Sequence, residues 1–453
     1  MFKRILIANR GEIALRIVRC CREMGIESVV AYSTADRESL PVMEATDSIC
    51  IGPAAASESY LNPEIIVQAA KQKHCDAIHP GYGFLSENAD FADLCEENGI
   101  VFIGPSGAII RHMGDKQAAR KLMMEHQVPV VPGSKELLEN ADQAVAMAEQ
   151  IGYPVMLKAS AGGGGKGMRR AFNEEEVRSA FETAKAEARA AFGNDDMYME
   201  KLIVDPHHIE FQILADCEGN TVYLGERDCS IQKNNQKLLE ESPSAVLTPQ
   251  LRKEMGETAV RAAKAAGYYS AGTVEFILDA SGVYYFIEMN TRIQVEHPVT
   301  EEITGIDLIR EQIRIALGMK LGFTQDEIGI EKHAIECRIN ALTPGTIQFV
   351  HFPSGYGVRI ESHLFTGYQV SPYYDSMIAK VIVSGRTRLE AIRRLRRVLE
   401  EIVIDGIKTN YDFMYLLIYH PVFLKGNYTT GFWEQNHEQM EDWLKEGIRS
   451  EAG

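Results

Sequence analysis

The chain reads Ile287-Glu288-Met289-Asn290-Thr291-Arg292-Ile293-Gln294-Val295-Glu296-His297 in its second half, and this stretch decides the fold prediction. Side chains of a β-strand alternate between its two faces. Wherever the chain stays extended, one face therefore carries two carboxylates, two amides and an arginine. These residues are Glu288, Asn290, Arg292, Gln294 and Glu296. A solvated strand face would also alternate, but this mixture without lysine or serine favours a binding site.

The preceding segment predicts a hairpin partner for this strand. The turn Asp279-Ala280-Ser281-Gly282 separates two apolar runs. Symmetric pairing about the turn makes Glu275 and Glu288 diagonal neighbours, roughly 7–8 Å apart between backbones. Like charges at this spacing are unfavourable unless a cation lies between them. Because carboxylate and amide oxygens are hard ligands, we predict that Glu275, Glu288 and Asn290 hold Mg²⁺ or Mn²⁺ beside substrate phosphates.

A glycine-rich loop offers donors for those phosphates. It reads Ala161-Gly162-Gly163-Gly164-Gly165-Lys166-Gly167 and follows an apolar strand, residues 154–159. Glycines let backbone N–H groups approach an anion closely. Lys166 precedes glycine and not serine or threonine, so this is not a Walker A loop, nor is it GxGxxG at a helix start. A flexible linker would share the composition, but Lys158 on the apolar strand favours phosphate binding, and Lys116 is a second candidate.

Composition limits the classes of function. The 453 residues carry 64 acidic and 47 basic side chains, a net charge of −17, whereas a nucleic-acid partner needs a basic face. No apolar run approaches the ~18 residues of a membrane span, and the first apolar stretch, residues 5–8, is too short for a signal peptide. The eight cysteines contain no CxxC pair and no zinc-ribbon spacing. We therefore predict a cytoplasmic protein with buried free thiols.

Hydrophobic patterning divides the chain into segments, and the predicted class is mixed α/β and α+β. Residues 1–112 alternate short strands with helical patterns, which predicts a doubly wound parallel domain. Within residues 113–330, strands between Pro154 and Asn290 are separated by tight turns and two helices, which predicts a mainly antiparallel α+β domain. Residues 331–446 carry short strands and an amphipathic helix, and 447–453 form a tail.

Five strings together resemble the biotin carboxylases, in a match that extends from about residue 2 to residue 435. The strings are Ile7-Ala8-Asn9-Arg10-Gly11-Glu12-Ile13-Ala14, His79-Pro80-Gly81-Tyr82-Gly83-Phe84-Leu85-Ser86-Glu87-Asn88, the glycine-rich loop, Gly225-Glu226-Arg227-Asp228-Cys229-Ser230 and the opening stretch continued to Pro298. The resemblance implies an ATP-grasp fold. Its parts are an N-terminal doubly wound domain, a central ATP-grasp domain with a mobile lid at about residues 131–203, and a C-terminal biotin carboxylase domain.

The family reaction makes carboxyphosphate from ATP and bicarbonate and then carboxylates the ureido nitrogen of biotin. The resemblance implies that ATP is held by Lys116, Lys158, Gly163, Gly164, Gly165, Lys166, Gly167, Met168, Glu200, Lys201, Ile203 and His208. It implies that bicarbonate and biotin are held by Tyr82, Gln232, Asn235, Arg292, Gln294, Val295 and Arg338. It also implies that Glu275, Glu288 and Asn290 hold two metal ions.

Four residues resemble the catalytic groups of the family. Glu296 resembles the general base that deprotonates bicarbonate, which Arg292 binds. Arg338 resembles the residue that stabilises the biotin enolate. A guanidinium suits this role because it can act only as a hydrogen-bond donor. Lys237 resembles the residue that steadies the transferred phosphoryl group.

Two positions depart from the family pattern. Asn235 stands where most members have a histidine, which weakens the role carried over to it. Ala341 follows Asn340 and leads directly into Pro344-Gly345, whereas the family runs through a longer loop beside Arg338.

The resemblance also implies partners. We expect a free-standing subunit of acetyl-CoA carboxylase, acting in malonyl-CoA and fatty-acid synthesis with a biotin carboxyl carrier protein and a carboxyltransferase. The chain's Met319-Lys320 dipeptide is not placed as a biotinylation site, and a homodimer is expected. Two alternatives stay open: a carboxyphosphate-forming ligase of the carbamoyl phosphate synthetase type with an amine acceptor, and an inactive nucleotide-binding regulator.

Overall fold

A computed structural model describes residues 2–134, 136–159, 167–193 and 195–451. The chain forms two compact units. The first comprises Met1–Gly114, His208–Glu275 and Met289–Gly453, and the second comprises Asp115–His207 and Phe276–Glu288. Among the described residues, none of the helices has the length and apolar character needed to cross a membrane.

The first unit opens with a parallel sheet, as predicted. Its strands are β1 (Arg4–Ile7), β2 (Glu27–Ser33), β3 (Asp47–Gly52), β4 (Ala77–His79) and β5 (Val101–Phe102). Its helices are α1 (Gly11–Glu23), α2 (Leu40–Glu44), α3 (Pro63–Gln72), α4 (Ala89–Glu97) and α5 (Gly107–Gly114). The strand order is β3-β2-β1-β4-β5, so successive strands are added on one side of β1 up to β3 and on its other side from β4 onward. Ligands bind at such a reversal, beyond the carboxyl ends of the strands, and the turn that contains Tyr82 follows β4 there.

The sequence did not predict β3. This strand lies at the edge of the sheet and is mostly half-exposed, so it lacks the continuous apolar run that marks its buried neighbours.

The second unit contains a three-stranded antiparallel sheet with helices packed on it. Its helices are α6 (Lys116–Glu125), α7 (Ala141–Ile151) and α8 (Glu174–Phe192), and its strands are β6 (Val155–Ala159), β7 (Met168–Ala171) and β8 (Met197–Lys201). The order is β7-β6-β8. Alternate residues of β6 are buried against α7 and α8 through Val155 and Leu157, which leaves Lys158 on the other face.

A larger sheet dominates the rest of the first unit. Its eight strands, in spatial order, are β13 (Tyr284–Asn290), β12 (Ser270–Leu278), β9 (His207–Ala215), β10 (Thr221–Lys233), β11 (Gln236–Ser242), β14 (His333–Asn340), β19 (Met377–Gly385) and β17 (Val358–Ser362). The remaining strands form two short pairs. They are β15 (Gly345–Thr346) with β18 (Gln369–Val370), and β16 (Phe349–His351) with β20 (Val403–Asp405). The strands β12 and β13 each continue from one unit into the other.

Seven further helices occur in the described part of the first unit. They are α9 (Pro249–Ala265), α10 (His297–Thr304), α11 (Leu308–Ala316), α12 (Arg388–Glu401), α13 (Tyr411–Leu417), α14 (Pro421–Lys425) and α15 (Phe432–Glu451). Short 3₁₀ turns lie at Thr34–Asp36, Ala56–Glu58 and Gln325–Glu327. The predicted amphipathic helix is α12, whose buried Leu395 and Val398 pack with Val381 of β19.

The prediction of two helices among the strands between Pro154 and Asn290 is confirmed by α8 and α9. The helix α10, which follows the opening stretch, was not predicted. It is buried on nearly every side, from His297 to Ile303, so it lacks the one-sided apolar period by which surface helices are found.

Candidate active site

The polar residues of the opening stretch gather at the end of β13, although the chain does not stay extended. The strand ends at Asn290 and Glu296 already caps α10, so the alternation between strand faces holds only as far as Asn290. The Arg292 side chain explains the bend. It donates to the Ile293 carbonyl at 3.1 Å, to Gln294 Oε1 at 2.8 Å and to Asn290 Oδ1 at 3.1 Å, and these local bonds stabilise a loop.

Glu296 is fully buried between two cations. Its Oε1 accepts a hydrogen bond from Lys237 Nζ at 2.6 Å, and its Oε2 accepts one from Arg338 Nη2 at 3.0 Å. Burial alone would raise the pKa of Glu296, but Lys237 and Arg338 hold this pKa well below its usual value. Glu296 is therefore a carboxylate at neutral pH and is able to accept a proton.

Lys237 contacts three carboxylates, two on different strands and one at the start of α10. Its Nζ lies 2.5 Å from Glu210 Oε2 on β9 and 3.4 Å from Glu275 Oε1 on β12, besides its bond to Glu296. Glu210 is held in turn by the buried Arg227 Nε at 2.5 Å. A cation in contact with three carboxylates is well placed to meet a fourth anion, such as a phosphoryl group.

Glu275 is the predicted metal ligand that the first unit places most clearly. Its Oε1 accepts from Asn290 Nδ2 at 2.7 Å and from Gln294 Nε2 at 2.9 Å, and its Oε2 lies 2.8 Å from His208 Nε2. Burial alone would raise the pKa of Glu275, but Lys237 and His208 lower it. The contact between Glu275 and Asn290 fits a shared hard cation, because both residues offer oxygen ligands. Glu288 is half-buried on the part of β13 that belongs to the second unit.

Arg292 is fixed from the N-terminal part of the first unit as well. Its Nε donates to Glu87 Oε2 at 2.8 Å, and Glu87 Oε1 accepts from the Thr291 amide at 3.0 Å. The guanidinium therefore lies beside the amides of Asn290 and Gln294, in a position to bind a small anion.

Lys380 fixes both Val295, directly, and Tyr82, through Glu12. The Tyr82 hydroxyl donates to Glu12 Oε1, and the fully buried Lys380 lies 3.2 Å from the same oxygen. Lys380 Nζ also donates to the Val295 carbonyl at 2.8 Å, so one ammonium group holds both predicted bicarbonate or biotin contacts.

Asn235 lies at the exposed tip of the hairpin between β10 and β11. Asn234 and Asn235 have φ values of 51° and 63°, as a two-residue turn of the primed type requires. Asparagine tolerates this left-handed region well, so turn geometry accounts for the residue. Gln232, at the end of β10, is half-buried and pairs with Lys237 across the hairpin.

Except for His208, the predicted ATP residues that the structure describes belong to the second unit. Lys158 pairs with Glu200 across β6 and β8, and Lys201 Nζ donates to the Tyr153 carbonyl at 2.7 Å. Lys116 is exposed at the start of α6, after the capping residue Asp115.

The remaining predicted ATP residues lie around the glycine-rich loop or after β8. Gly167 has φ +73°, and a Cβ there would meet the Ala159 Cβ at 2.8 Å, so this position requires glycine. Met168 pairs with Lys158, and Ile203 follows β8 and is half-buried. Gly163, Gly164, Gly165 and Lys166 lie outside the described residues.

The sequence analysis did not single out several residues that contact the predicted site. They are Glu12, Glu87, Glu210, Arg227, Glu240 and Lys380. Glu12, Glu87 and Arg227 lie within the strings that carry the family resemblance, and Lys380 has a signal of its own. It is a lysine inside an apolar strand, which is the pattern that identified Lys158.

A buried set of carboxylates around a lysine and two arginines, with an antiparallel unit that carries a glycine-rich loop, is typical of ATP-dependent ligases of the ATP-grasp class. Residues 115–324 match the family profile described as "Carbamoyl-phosphate synthase L chain, ATP binding domain". Residues 1–110 match "Biotin carboxylase, N-terminal domain" and residues 336–435 match "Biotin carboxylase C-terminal domain".

The similar proteins agree with these profiles. The chain is 55% identical over 443 residues to "Biotin carboxylase 1" of Bacillus subtilis (strain 168), covering 96% of this chain and 98% of that protein. A structure of the biotin carboxylase domain dimer of Hydrogenobacter thermophilus 2-oxoglutarate carboxylase, in complex with MgADP, ADP and bicarbonate, is 48% identical, with a TM-score of 0.91 and coverage of 97% and 99%. A biotin carboxylase complex from Campylobacter jejuni is also 48% identical, with a TM-score of 0.92 and coverage of 96% and 99%.

The chain belongs to the biotin carboxylase family. It is an enzyme of the ligase class, with an ATP-grasp fold and three family domains, as the sequence predicted. The two flanking profiles distinguish it from the carbamoyl phosphate synthetase type. The roles assigned to individual residues stay predictions.

Proposed function

We propose that the chain uses ATP to transfer a carboxyl group from bicarbonate to biotin on a carrier protein. The observation that supports this most directly is Glu296, a buried carboxylate in contact with both Lys237 and Arg338. A base, a phosphoryl-binding cation and an oxyanion donor are the three groups that the reaction requires.

In the first step, a bicarbonate oxygen attacks the γ-phosphorus of ATP, and the bond to ADP breaks. Arg292 and Gln294 bind bicarbonate, and Glu296 removes its proton as the new P–O bond forms. Lys237 stabilises the charge on the transferred phosphoryl group. Bound divalent ions supply further positive charge at the phosphates, with Glu275, Glu288 and Asn290 as ligands.

In the second step, the carboxyl group passes to a ureido nitrogen of biotin and inorganic phosphate leaves. The ureido nitrogen passes its proton to the departing phosphate, so negative charge develops on the ureido oxygen. Arg338 remains protonated at all working pH values and donates to this oxygen. Tyr82, Gln232, Asn235 and Val295 complete the predicted contacts to bicarbonate or biotin.

The nucleotide is proposed to bind through the residues of the second unit together with His208. Lys116, Lys158 and the glycine-rich loop contact phosphate oxygens, because their cations and free amides are suitable donors. Glu200, Lys201, Ile203 and Met168 contact the adenosine portion.

We also propose that the chain divides into three domains at the predicted boundaries, 1–112, 113–330 and 331–446, with a lid at about 131–203.

We propose that the chain acts in the cytoplasm as a homodimer, with a biotin carboxyl carrier protein and a carboxyltransferase, in acetyl-CoA carboxylase. The relative from Hydrogenobacter thermophilus carries the name of a 2-oxoglutarate carboxylase and was solved as a dimer. A 2-oxo acid is therefore the second candidate for the final acceptor. The substrate of a carboxyltransferase that co-purifies with this chain, acetyl-CoA or a 2-oxo acid, would distinguish the two.

The test measures ADP release with Mg²⁺ and bicarbonate, with and without free biotin, and traps labelled carboxybiotin. Biotin-stimulated release with labelled product supports the proposal. A rate of ADP release that does not change when biotin is added would indicate another acceptor. Tight ATP binding without ADP release would indicate a regulator.

The same assay tests Glu296. Glu296→Gln removes the base but no predicted phosphate ligand, so bicarbonate-dependent ADP release should fall by about 10²–10⁴-fold while ATP affinity stays nearly unchanged. Glu434→Gln makes the same chemical change at an exposed position of α15 and serves as the control. Unchanged turnover in Glu296→Gln would contradict the assignment.

A further inference from the structure

Two fully buried glutamates face each other behind Arg338. Glu240 on β11 and Glu336 on β14 are directly paired residues of neighbouring antiparallel strands. Arg338 lies two residues beyond Glu336, so it points to the same face of the sheet. Like charges directly opposite each other destabilise a sheet, so two adjacent carboxylates at this place need an explanation.

The hydrogen bonds of the two glutamates differ. Glu240 Oε1 accepts from Arg338 Nε at 2.6 Å and also from Arg338 Nη2. Neither oxygen of Glu336 has a hydrogen-bond partner among the residues that the structure describes. Lys380, which pairs with Arg338 on the next strand, makes no hydrogen bond to Glu336, because its ammonium group contacts Glu12 and the Val295 carbonyl.

Arg338 is consequently held by two of its three nitrogens. Nε and Nη2 donate to Glu240, and Nη2 also donates to Glu296. Within the described residues, Nη1 donates to none. A planar guanidinium fixed through one edge has little freedom to rotate, so the position of Nη1 is defined before substrate arrives.

The titration of the pair agrees with this difference. Burial raises the pKa of Glu240 to about 7, although Arg338 opposes the shift. Burial raises the pKa of Glu336 well above its usual value, against Lys380 and with Glu240 adding to the shift. Glu336 therefore takes up a proton before Glu240 does, and Glu240 is mainly charged above pH 7.

We propose that Glu240 is a charged positioning residue that orients Arg338 toward the biotin oxyanion, while Glu336 opposite it is a neutral acid. This inference rests on the role proposed above for Arg338. It assigns the two glutamates different roles, even though they are equally buried and directly paired.

The experiment compares Glu240→Gln with Glu336→Gln. Both substitutions are isosteric, and each removes the ionisable group at one of two facing positions. Purified full-length variants are assayed for ADP release with Mg²⁺ and bicarbonate, with and without free biotin, after circular dichroism has shown that they fold.

We expect different outcomes for the two variants. Glu240→Gln replaces a charged hydrogen bond to Arg338, so the biotin-dependent rate should fall by about 10–100-fold. The rate without biotin should fall by less than about threefold, and the KM for ATP should stay constant. Glu336→Gln reproduces a protonated glutamate, so its rates should stay within about twofold of the wild type.

Three results would overturn the inference. They are wild-type biotin-dependent turnover in Glu240→Gln, an equal loss of both rates in that variant, and a loss in Glu336→Gln as large as in Glu240→Gln. If Glu240→Gln does not fold, Glu240→Asp keeps the charge but withdraws it from Nε, and a wild-type biotin-dependent rate in Glu240→Asp would also overturn it. A wild-type enzyme without any biotin response would instead overturn the proposed function, and this inference with it.

Discussion

Replacing Glu241 by glutamine should remove part of the enzyme's resistance to acid. Glu241 is fully buried on β11. Its Oε2 accepts from Arg388 Nε at 2.7 Å and lies 2.6 Å from His333 Nε2, and its Oε1 accepts from the Tyr428 hydroxyl. Burial alone would raise the pKa of Glu241, but His333 and Arg388 lower it from 4.5 to about 2.

The size of the effect follows from this shift. A lowering of about 2.5 pKa units corresponds to ~3 kcal/mol of folding free energy. Because the folded-state pKa is the lower one, this contribution is complete above pH 4.5 and is lost as the pH falls through 2. The slope contributed by this one carboxyl is at most about 1.4 kcal/mol per pH unit.

Urea unfolding at several pH values between 7 and 2, followed by circular dichroism, measures this contribution. The free energy of unfolding of Glu241→Gln should be lower than that of the wild type at pH 7. The difference between the two proteins should shrink by ~3 kcal/mol between pH 5 and pH 2. A difference that is the same at every pH would refute the argument, and Glu434→Gln, at an exposed position, should match the wild type throughout.

Three further outcomes are expected. Arg227→Leu should lower the free energy of unfolding by roughly 3–5 kcal/mol, because it removes one of the two cations, Arg227 and Lys237, that hold the buried Glu210; adding Glu210→Gln should restore part of this, and full stability in the single variant would contradict the argument. A thiol reagent should label Cys50 and Cys217 quickly, since both are exposed and the other six cysteines are buried; fast labelling of more than two thiols in the native enzyme would be inconsistent with this burial. Removing divalent ions with a chelator should stop ADP release, and Mg²⁺ or Mn²⁺ should restore it; release that continues in excess chelator would contradict the metal prediction.

The alternation of residues 288–296 predicted which side chains meet, but not the backbone that brings them together. Asn290, Arg292 and Gln294 do meet Glu275 or each other. They do so through a loop and not through a strand, because the arginine's own hydrogen bonds bend the chain. Polarity in a sequence marks the members of a site, whereas their geometry depends on competing local hydrogen bonds.

The supporting residues could not be predicted in the same way. Glu240 and Lys380 reach the site from strands far away in the chain, and a single buried charge has no local pattern that names its partner. Asn235 shows the opposite case. The exposed turn at the end of β10 accounts for it through local backbone geometry alone, and two adjacent asparagines between strands are a turn signal that can be read from the sequence.

The pairing of β11 with β14 has a consequence for the synthesis of this protein. The strand β11 leaves the ribosome well before β14, which lies beyond α11 in the chain. At 5–20 residues per second, β11 waits on the order of ten seconds for its neighbour. Its unpaired edge can join another nascent chain during that time. A ribosome-associated chaperone that covers this edge would therefore be expected to raise the yield of active enzyme.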